Sequence, residues 1–257
     1  MSRPLIIAHR GASAEAPENT RAAFRRAIAL GAVGVEFDVR LAADGVPVVI
    51  HDARLERTAG LKRRVADLTS ADLATMDIGS WFNRRHPHLA NEPYSLETVP
   101  ALTATLELLG DLKGPIYVEL KIDTGAEVAP LTDAVARVIA AWPLLPDLIV
   151  QSFDLRVITR IRKHLPEIKT AALFGSRLSH FVGGRHRIVD LALEHGATHL
   201  SLHRSLVNKR IAARAAAAGL PITAWTVDDP NWLLRANELG VYAVITNDPA
   251  KFLDRKR

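Results

Sequence analysis

Apolar positions along the chain fall into two alternating patterns. Short runs rich in branched aliphatics read as buried strands: Leu5–Ala8, Val33–Val39, Ile116–Leu120, Leu148–Val150, Lys169–Leu173, His199–Leu202, Ile222–Trp225 and Ala243–Ile245. Between them the apolar positions recur with a helical period, in Thr20–Leu30, Leu96–Leu109, Ala126–Ala141, Leu155–His164, Ile188–His195, Val207–Ala218 and Asn231–Leu239. Asn19 is the expected cap of the first helix and Gly31 its stop, and Gly196, Gly219 and Gly240 end later ones. Eight such alternations predict an α/β fold, a closed (β/α)8 TIM-type barrel. A doubly wound open sheet is the competing arrangement, and the missing Gly-rich dinucleotide fingerprint disfavours its nucleotide-binding version. A length of 257 residues suits one barrel, so residues 1–257 are expected to form a single domain.

The rhythm breaks at about residues 53–95. This stretch is polar and irregular and contains Trp81-Phe82, Pro87 and Pro93. It is expected to be an insertion after the second strand, at the barrel mouth. Just before it, Val46–Ile50 follows the turn signal Asp44-Gly45 and is expected to extend the second strand back toward the mouth.

Composition narrows the function class. With 48% hydrophobic and 24% charged residues the chain has material for a large core and the charge of a soluble globular protein. No apolar run approaches the roughly 20 residues that span a bilayer, so stable membrane insertion is not expected. Met1-Ser2-Arg3-Pro4 leads into the first strand with no secretory core, and a cytoplasmic location is the expectation. The chain has no cysteine, which excludes disulfides and thiolate metal sites. The formal charge of +5 is scattered over Arg25-Arg26, Lys62-Arg63-Arg64, Arg84-Arg85, Arg185-His186-Arg187 and Arg255-Lys256-Arg257. With no aromatics interleaved, these read as solvated faces rather than a nucleic-acid track. A modest positive field still attracts an anionic small substrate.

The chemistry concentrates where apolar runs stop. Leu5–Ala8 ends in His9-Arg10-Gly11, and Gly11 frees the backbone for a tight exit. Val33–Val39 closes on Glu36-Phe37-Asp38, two carboxylates two residues apart and so on one strand face. Val48-Val49-Ile50 runs into His51-Asp52, and Ile116-Tyr117-Val118 into Glu119-Leu120-Lys121. Each piece alone has an ordinary structural reading: a satisfied histidine, a solvated acidic edge, a surface ion pair. Together they put charge at the ends of parallel strands, the rim where barrels build active sites. Glu36, Asp38 and Glu119 form a hard oxygen site suited to one divalent cation, Mg²⁺ or Ca²⁺. Arg10 and Lys121 complement a phosphate or carboxylate. His9 and His51 suit a general acid and a general base. The combination describes hydrolysis of an anionic ester.

At this point the chain resembles the glycerophosphodiester phosphodiesterases. The motifs are His9-Arg10-Gly11, Pro17-Glu18-Asn19-Thr20, Glu36-Phe37-Asp38-Val39, His51-Asp52, Val118-Glu119-Leu120-Lys121, Ser152-Phe153 and Ala224-Trp225-Thr226-Val227, in family order. The resemblance implies a TIM-barrel catalytic domain with the insertion after the second strand. It implies hydrolysis of a small-molecule glycerophosphodiester to glycerol 3-phosphate and an alcohol, with one divalent cation. By motif, His9 and His51 are the acid–base pair, Glu36, Asp38 and Glu119 the metal ligands, Arg10 and Lys121 the phosphate binders, and Trp225 a wall of the substrate pocket. Glu18 and Asn19 are expected to serve helix capping and mouth scaffolding, and His203 to be structural. Asp228-Asp229 departs from the Asn with which the family often continues the tryptophan motif, which bears on pocket polarity at the alcohol side. Competing readings are a glycosidase using Glu119 with another carboxylate, a non-catalytic barrel binding anionic ligands, and a phospholipase D-like relative whose substrate hydroxyl attacks phosphorus to give a cyclic phosphate.

Overall fold

The computed structural model describes residues 3–142, 147–176 and 187–253. Arg185-His186 and the tail Arg255-Lys256-Arg257, counted above among the basic clusters, lie outside the described residues. Nine strands are described: β1 Leu5–His9, β2 Gly34–Leu41, β3 Pro47–Val49, β4 Ile116–Leu120, β5 Leu148–Ser152, β6 Lys169–Phe174, β7 His199–His203, β8 Ile222–Trp225 and β9 Ala243–Thr246. All except β3 pair in parallel, β1 pairs with both β2 and β9, and the sheet closes into an eight-stranded barrel. The expected closed barrel is therefore the observed one. β3 pairs antiparallel to β2, Val39 opposite Val49, which is the predicted return of the chain to the mouth.

The helices in chain order are α1 Arg21–Ala29, α2 Glu56–Ala59, α3 Ser70–Leu73, α4 Ser80–Arg85, α5 Leu102–Leu109, α6 Ala129–Ala140, α7 Leu155–His164, α8 Ile188–Glu194, α9 Lys209–Ala217, α10 Trp232–Glu238 and α11 Ala250–Leu253. Their apolar faces meet the outer faces of the strands in two large clusters. One gathers Phe24, Phe37, Leu106, Val118 and Val135, the other Ile158, Leu200, Ile211, Leu233 and Val244. A third apolar layer fills the barrel interior with Ile7, Tyr117, Ile149, Ala171, Ala243 and Ile245. Inside it the Tyr117 hydroxyl meets Thr223 Oγ1 at 2.7 Å, so this fully buried phenol is satisfied.

Three boundaries differ from the sequence pattern. Thr20, not Asn19, caps α1: its Oγ1 accepts from Ala23 N at 3.2 Å. Asn19 precedes the cap with a left-handed φ of 58°, a conformation its short polar side chain tolerates. The helix expected over Leu96–Leu109 begins only at Leu102, because Pro100 disfavours helical backbone at Val99 and Glu92–Leu96 forms a separate 3-10 turn. The stretch expected to be irregular carries α2, α3 and α4 and a small core of its own. Leu55, Val65, Leu68, Leu73 and Ile78 pack there with Val48, Ile50 and Val99 beside β3.

Candidate active site

The barrel interior dictates which side chains reach its mouth. Residues two apart on a strand share a face, so each interior position points two residues further on to a mouth position. Ile7 leads to His9, Tyr117 to Glu119 and Lys121, Ile149 to Gln151, and Ile245 to Asn247. Strand register then sets neighbours side by side: His9 faces Glu36, Asp38 faces Glu119, and Glu119 faces Gln151. His9, Arg10, Glu36, His51, Glu119, Lys121 and Trp225 line one cleft of about 240 Å³, together with Gln151 and Phe153. Asp38 lies just beneath it, fully buried and in contact with Arg10 and Lys121. Every candidate residue from the sequence is thus in one place.

The backbone at the end of β1 is unusual. Arg10 has a left-handed φ of 57° and Gly11 one of 78°. Such a conformation costs a non-glycine residue about 1–2 kcal/mol. Main-chain bonds hold it: Arg10 N donates to Glu36 O at 2.7 Å, and Asn19 N to Arg10 O at 3.0 Å. Gly11 is confined by α1, since a Cβ there would stand 2.5 Å from the carbonyl carbon of Ala23.

Glu36, Asp38 and Glu119 each bring an oxygen within 4.8 Å of the others, and all three are buried. Lys121 Nζ sits 2.6 Å from Glu119 and 3.0 Å from Asp38, and Arg10 Nε is 3.0 Å from Asp38. Three carboxylates thus face two fixed cations, which leaves one negative charge over. The imbalance falls on Glu36. Burial, then Asp38 and Glu119, push its carboxyl well above the usual range. Burial also raises Glu119, against the pull of Lys121. At Asp38 burial is outweighed by Arg10 and Lys121, and its carboxyl stays far below the usual range. The oxygens therefore have the number, hardness and charge deficit that fit a divalent cation. Gln151 Oε1, buried with no hydrogen-bond partner among the described residues, adds a neutral oxygen beside them.

The two imidazoles are held differently. His9 Nδ1 meets Asn247 Oδ1 at 2.6 Å, and its Nε2 lies 3.7 Å from Glu36. The Asn247 amide is oriented by Asp228, which accepts from Asn247 Nδ2 at 2.8 Å. A carboxylate only accepts, so Asn247 Oδ1 must face His9, and His9 must donate from Nδ1 and leave Nε2 bare. Burial, then the neighbouring Arg10 cation, lower His9 to about 4. His51 Nδ1 instead meets a carboxylate, Asp52, at 2.7 Å. The hydrogen bond from His51, with help from Arg57, holds Asp52 well below the usual carboxylate range.

Several residues around this centre make contacts that the sequence reading did not specify. Asn19 was expected to cap α1; its Nδ2 instead donates to Asp38 Oδ2 at 2.9 Å. Glu18, expected to be scaffolding, pairs with Arg10 at 2.8 Å. Asp228 stands beneath Asn247 at the ends of β8 and β9, rather than only colouring the alcohol side. His203 packs edge-on against Trp225, centroids 5.3 Å apart, and Phe153 does so from another side at 5.7 Å. Ser152 Oγ donates to Leu120 O at 2.8 Å and braces the strand ends under Phe153.

Known proteins match this chain along nearly its whole length. The model of the Glycerophosphoryl diester phosphodiesterase family matches residues 9–251. A glycerophosphodiester phosphodiesterase of Caldanaerobacter subterraneus subsp. tengcongensis is 32% identical over 99% of this chain and 98% of its own length. Among solved structures, an Oleispira antarctica phosphodiesterase in complex with the product sn-glycerol-3-phosphate superposes with a TM-score of 0.84. It is 28% identical and covers 98% of this chain and 96% of its own. A glycerophosphodiester phosphodiesterase from Agrobacterium tumefaciens gives 0.78 at 27% identity, over 98% of this chain and 99% of its own.

Proposed function

The chain belongs to the glycerophosphoryl diester phosphodiesterase family, and from that premise we propose that it hydrolyses small glycerophosphodiesters to glycerol 3-phosphate and an alcohol. The whole chain acts as one catalytic domain, with the stretch around residues 53–95 as an insertion at its mouth. The observation that carries this reading is the meeting of three buried carboxylates, two cations and two imidazoles in and just beneath one cleft. Glu36, Asp38 and Glu119 hold one divalent cation, Mg²⁺ or Ca²⁺. When bound, that ion withdraws charge from the phosphoryl oxygens. Arg10 and Lys121 add fixed positive charge beside the same oxygens and keep it there at every working pH. Trp225, whose indole nitrogen is buried with no partner among the described residues, forms the wall for the organic part of the substrate.

His9 and His51 divide the proton transfers. His9, neutral at pH 7 with a bare Nε2, accepts the proton of the attacking water as its oxygen bonds to phosphorus. His51, backed by Asp52, donates its proton to the leaving alkoxide as the ester bond breaks. A water nucleophile gives an open-chain product, and hydrolysis in ¹⁸O-labelled water then puts label into glycerol 3-phosphate.

The reading is tested by chelation and by mutation together. Exhaustive removal of divalent cations is expected to abolish hydrolysis of glycerophosphodiesters, and Mg²⁺ or Ca²⁺ to restore it. His9→Ala and His51→Ala are each expected to cost at least about 100-fold in turnover. Full activity after chelation would refute the metal assignment, and wild-type rates in both histidine variants the acid–base assignment. No helix among the described residues is long and apolar enough to cross a membrane.

A further inference from the structure

One guanidinium outside the cleft touches both halves of the charged network within it. Arg57 lies on α2, in the insertion, with its side chain 41% exposed. Its Nε donates to Asp52 Oδ2 at 2.6 Å. Its two terminal nitrogens donate to the two oxygens of Glu18 at 2.9 and 2.7 Å. Asp52 in turn holds the Nδ1 of His51, and Glu18 holds Arg10. Trp81 of α4 lies under the guanidinium, 5.3 Å from ring centroid to Arg57 Cζ. The indole is itself tied down, donating to Ile78 O at 2.7 Å. So the insertion is joined to the end of β3 and to the β1–α1 loop through one side chain.

We propose that Arg57 is a positioning residue for the reaction: by binding Asp52 and Glu18 at once it fixes the imidazole of His51 and the guanidinium of Arg10. The proposal rests on the hydrolytic reading given above, in which those two side chains meet the substrate. Only an arginine has the donors for it. The fork gives parallel bonds to one carboxylate while Nε serves a second, and a lysine ammonium cannot span both. Without the fork the Asp52 carboxylate keeps only His51 and can turn, and the ring turns with it. Glu18 keeps only Arg10 and loses its outer anchor. The aromatic face of Trp81 limits where the guanidinium can go, so the insertion contributes to catalysis without reaching the phosphate.

The test uses the full-length, metal-loaded protein with glycerophosphocholine as probe. Arg57→Gln is expected to lower kcat on the order of 10- to 100-fold, the usual loss when an outer partner of a site residue is removed. Arg57→Lys, which keeps the stem and charge but not the fork, is expected to fall between it and wild type. In an Asp52→Asn background, Arg57→Gln is expected to cost less than it does in wild type, since its hold on His51 is already gone and only the arm through Glu18 to Arg10 is left to lose. Imidazole ¹⁵N spectra of the free protein should show the His51 Nδ1 proton held in wild type and exchanging faster in Arg57→Gln. An unchanged His51 signal with unchanged kcat, or full additivity with Asp52→Asn, overturns the proposal. Thermal unfolding checks that each variant is folded, and Arg57→Lys carries the test if Arg57→Gln does not fold. The spectra need no turnover. They decide the role of Arg57 even if wild type leaves glycerophosphocholine intact, a result that would count against the hydrolytic reading instead.

Discussion

Replacing Gly11 by alanine separates two reasons why the turn below His9 and Arg10 needs glycine. The first is dihedral: φ is 78°, and an L-residue pays about 1–2 kcal/mol there. The second is space. An added Cβ would lie 2.5 Å from Ala23 C and 2.7 Å from both Ala23 Cβ and Ala23 O. Two of those three atoms are backbone of α1, so no rotamer change can clear them. α1 is not free to retreat either, because Ala23, Phe24 and Ala27 are fully buried against the barrel. Overlap of this kind adds about 1–3 kcal/mol, for a total of about 2–5 kcal/mol.

Gly45 supplies the control. Its φ is 76°, nearly that of Gly11, but a Cβ there would meet nothing within 4 Å. Gly45→Ala should therefore show the dihedral cost alone, about 1–2 kcal/mol. Urea unfolding followed by circular dichroism, extrapolated linearly to water, measures both variants. The difference between them is the spatial term. The Gly11 variant should also lose turnover at temperatures where it is still folded, since the displaced turn carries His9 and Arg10. Gly45→Ala should not. Equal destabilisation of the two variants would refute the reasoning and show that α1 gives way freely.

Two further outcomes follow from neutral polar contacts and from burial. Asn247→Leu removes the acceptor for His9 Nδ1 while preserving most of the volume. It should lower turnover on the order of 10- to 100-fold and release the His9 tautomer, seen in its ring ¹⁵N signals; a wild-type tautomer and rate would dismiss Asn247 as a positioning group. At the opposite end of the barrel, burial and then Lys169 lower His199 to about 4. The unfolded chain takes up that proton below pH 6.5 and the folded one does not until about pH 4, so this histidine's share of stability is complete above pH 6.5 and is lost as pH falls toward 4. The loss should approach about 3 kcal/mol, read as a shallower acid decline in His199→Gln than in wild type; parallel declines would dismiss it.

The barrel and the charged centre of the site were legible for one physical reason. Parallel strands are covered on both faces, so they read as unbroken apolar runs, and a charge at the end of one stands out. Glu36, Asp38, Glu119 and Lys121 declared themselves this way, and the two-residue period of a strand put them on one face before any register was known. The residues that hold this centre in shape did not. Asn19 looked like a helix cap because capping and left-handed backbone favour the same side chain, and the two uses differ only in where the neighbouring Thr20 sits. Gln151 and Asn247 are neutral, and a neutral residue closing a strand raises no alarm. Asn247 reaches His9 across 238 positions of sequence, a contact that exists only because β9 closes against β1. Glu18 stood out only as a scaffold residue before a helix, and Arg57, in a polar insertion, was not singled out at all. Their pairing depends on how that insertion folds back, and its small core of Leu55, Val65, Leu73 and Ile78 follows neither a strand nor a helix period. The side chains proposed to do the chemistry are thus marked by the secondary structure they interrupt. Those that orient them are marked only by tertiary closure, and it is at Arg57 and Asn247 that mutation will tell most about this site.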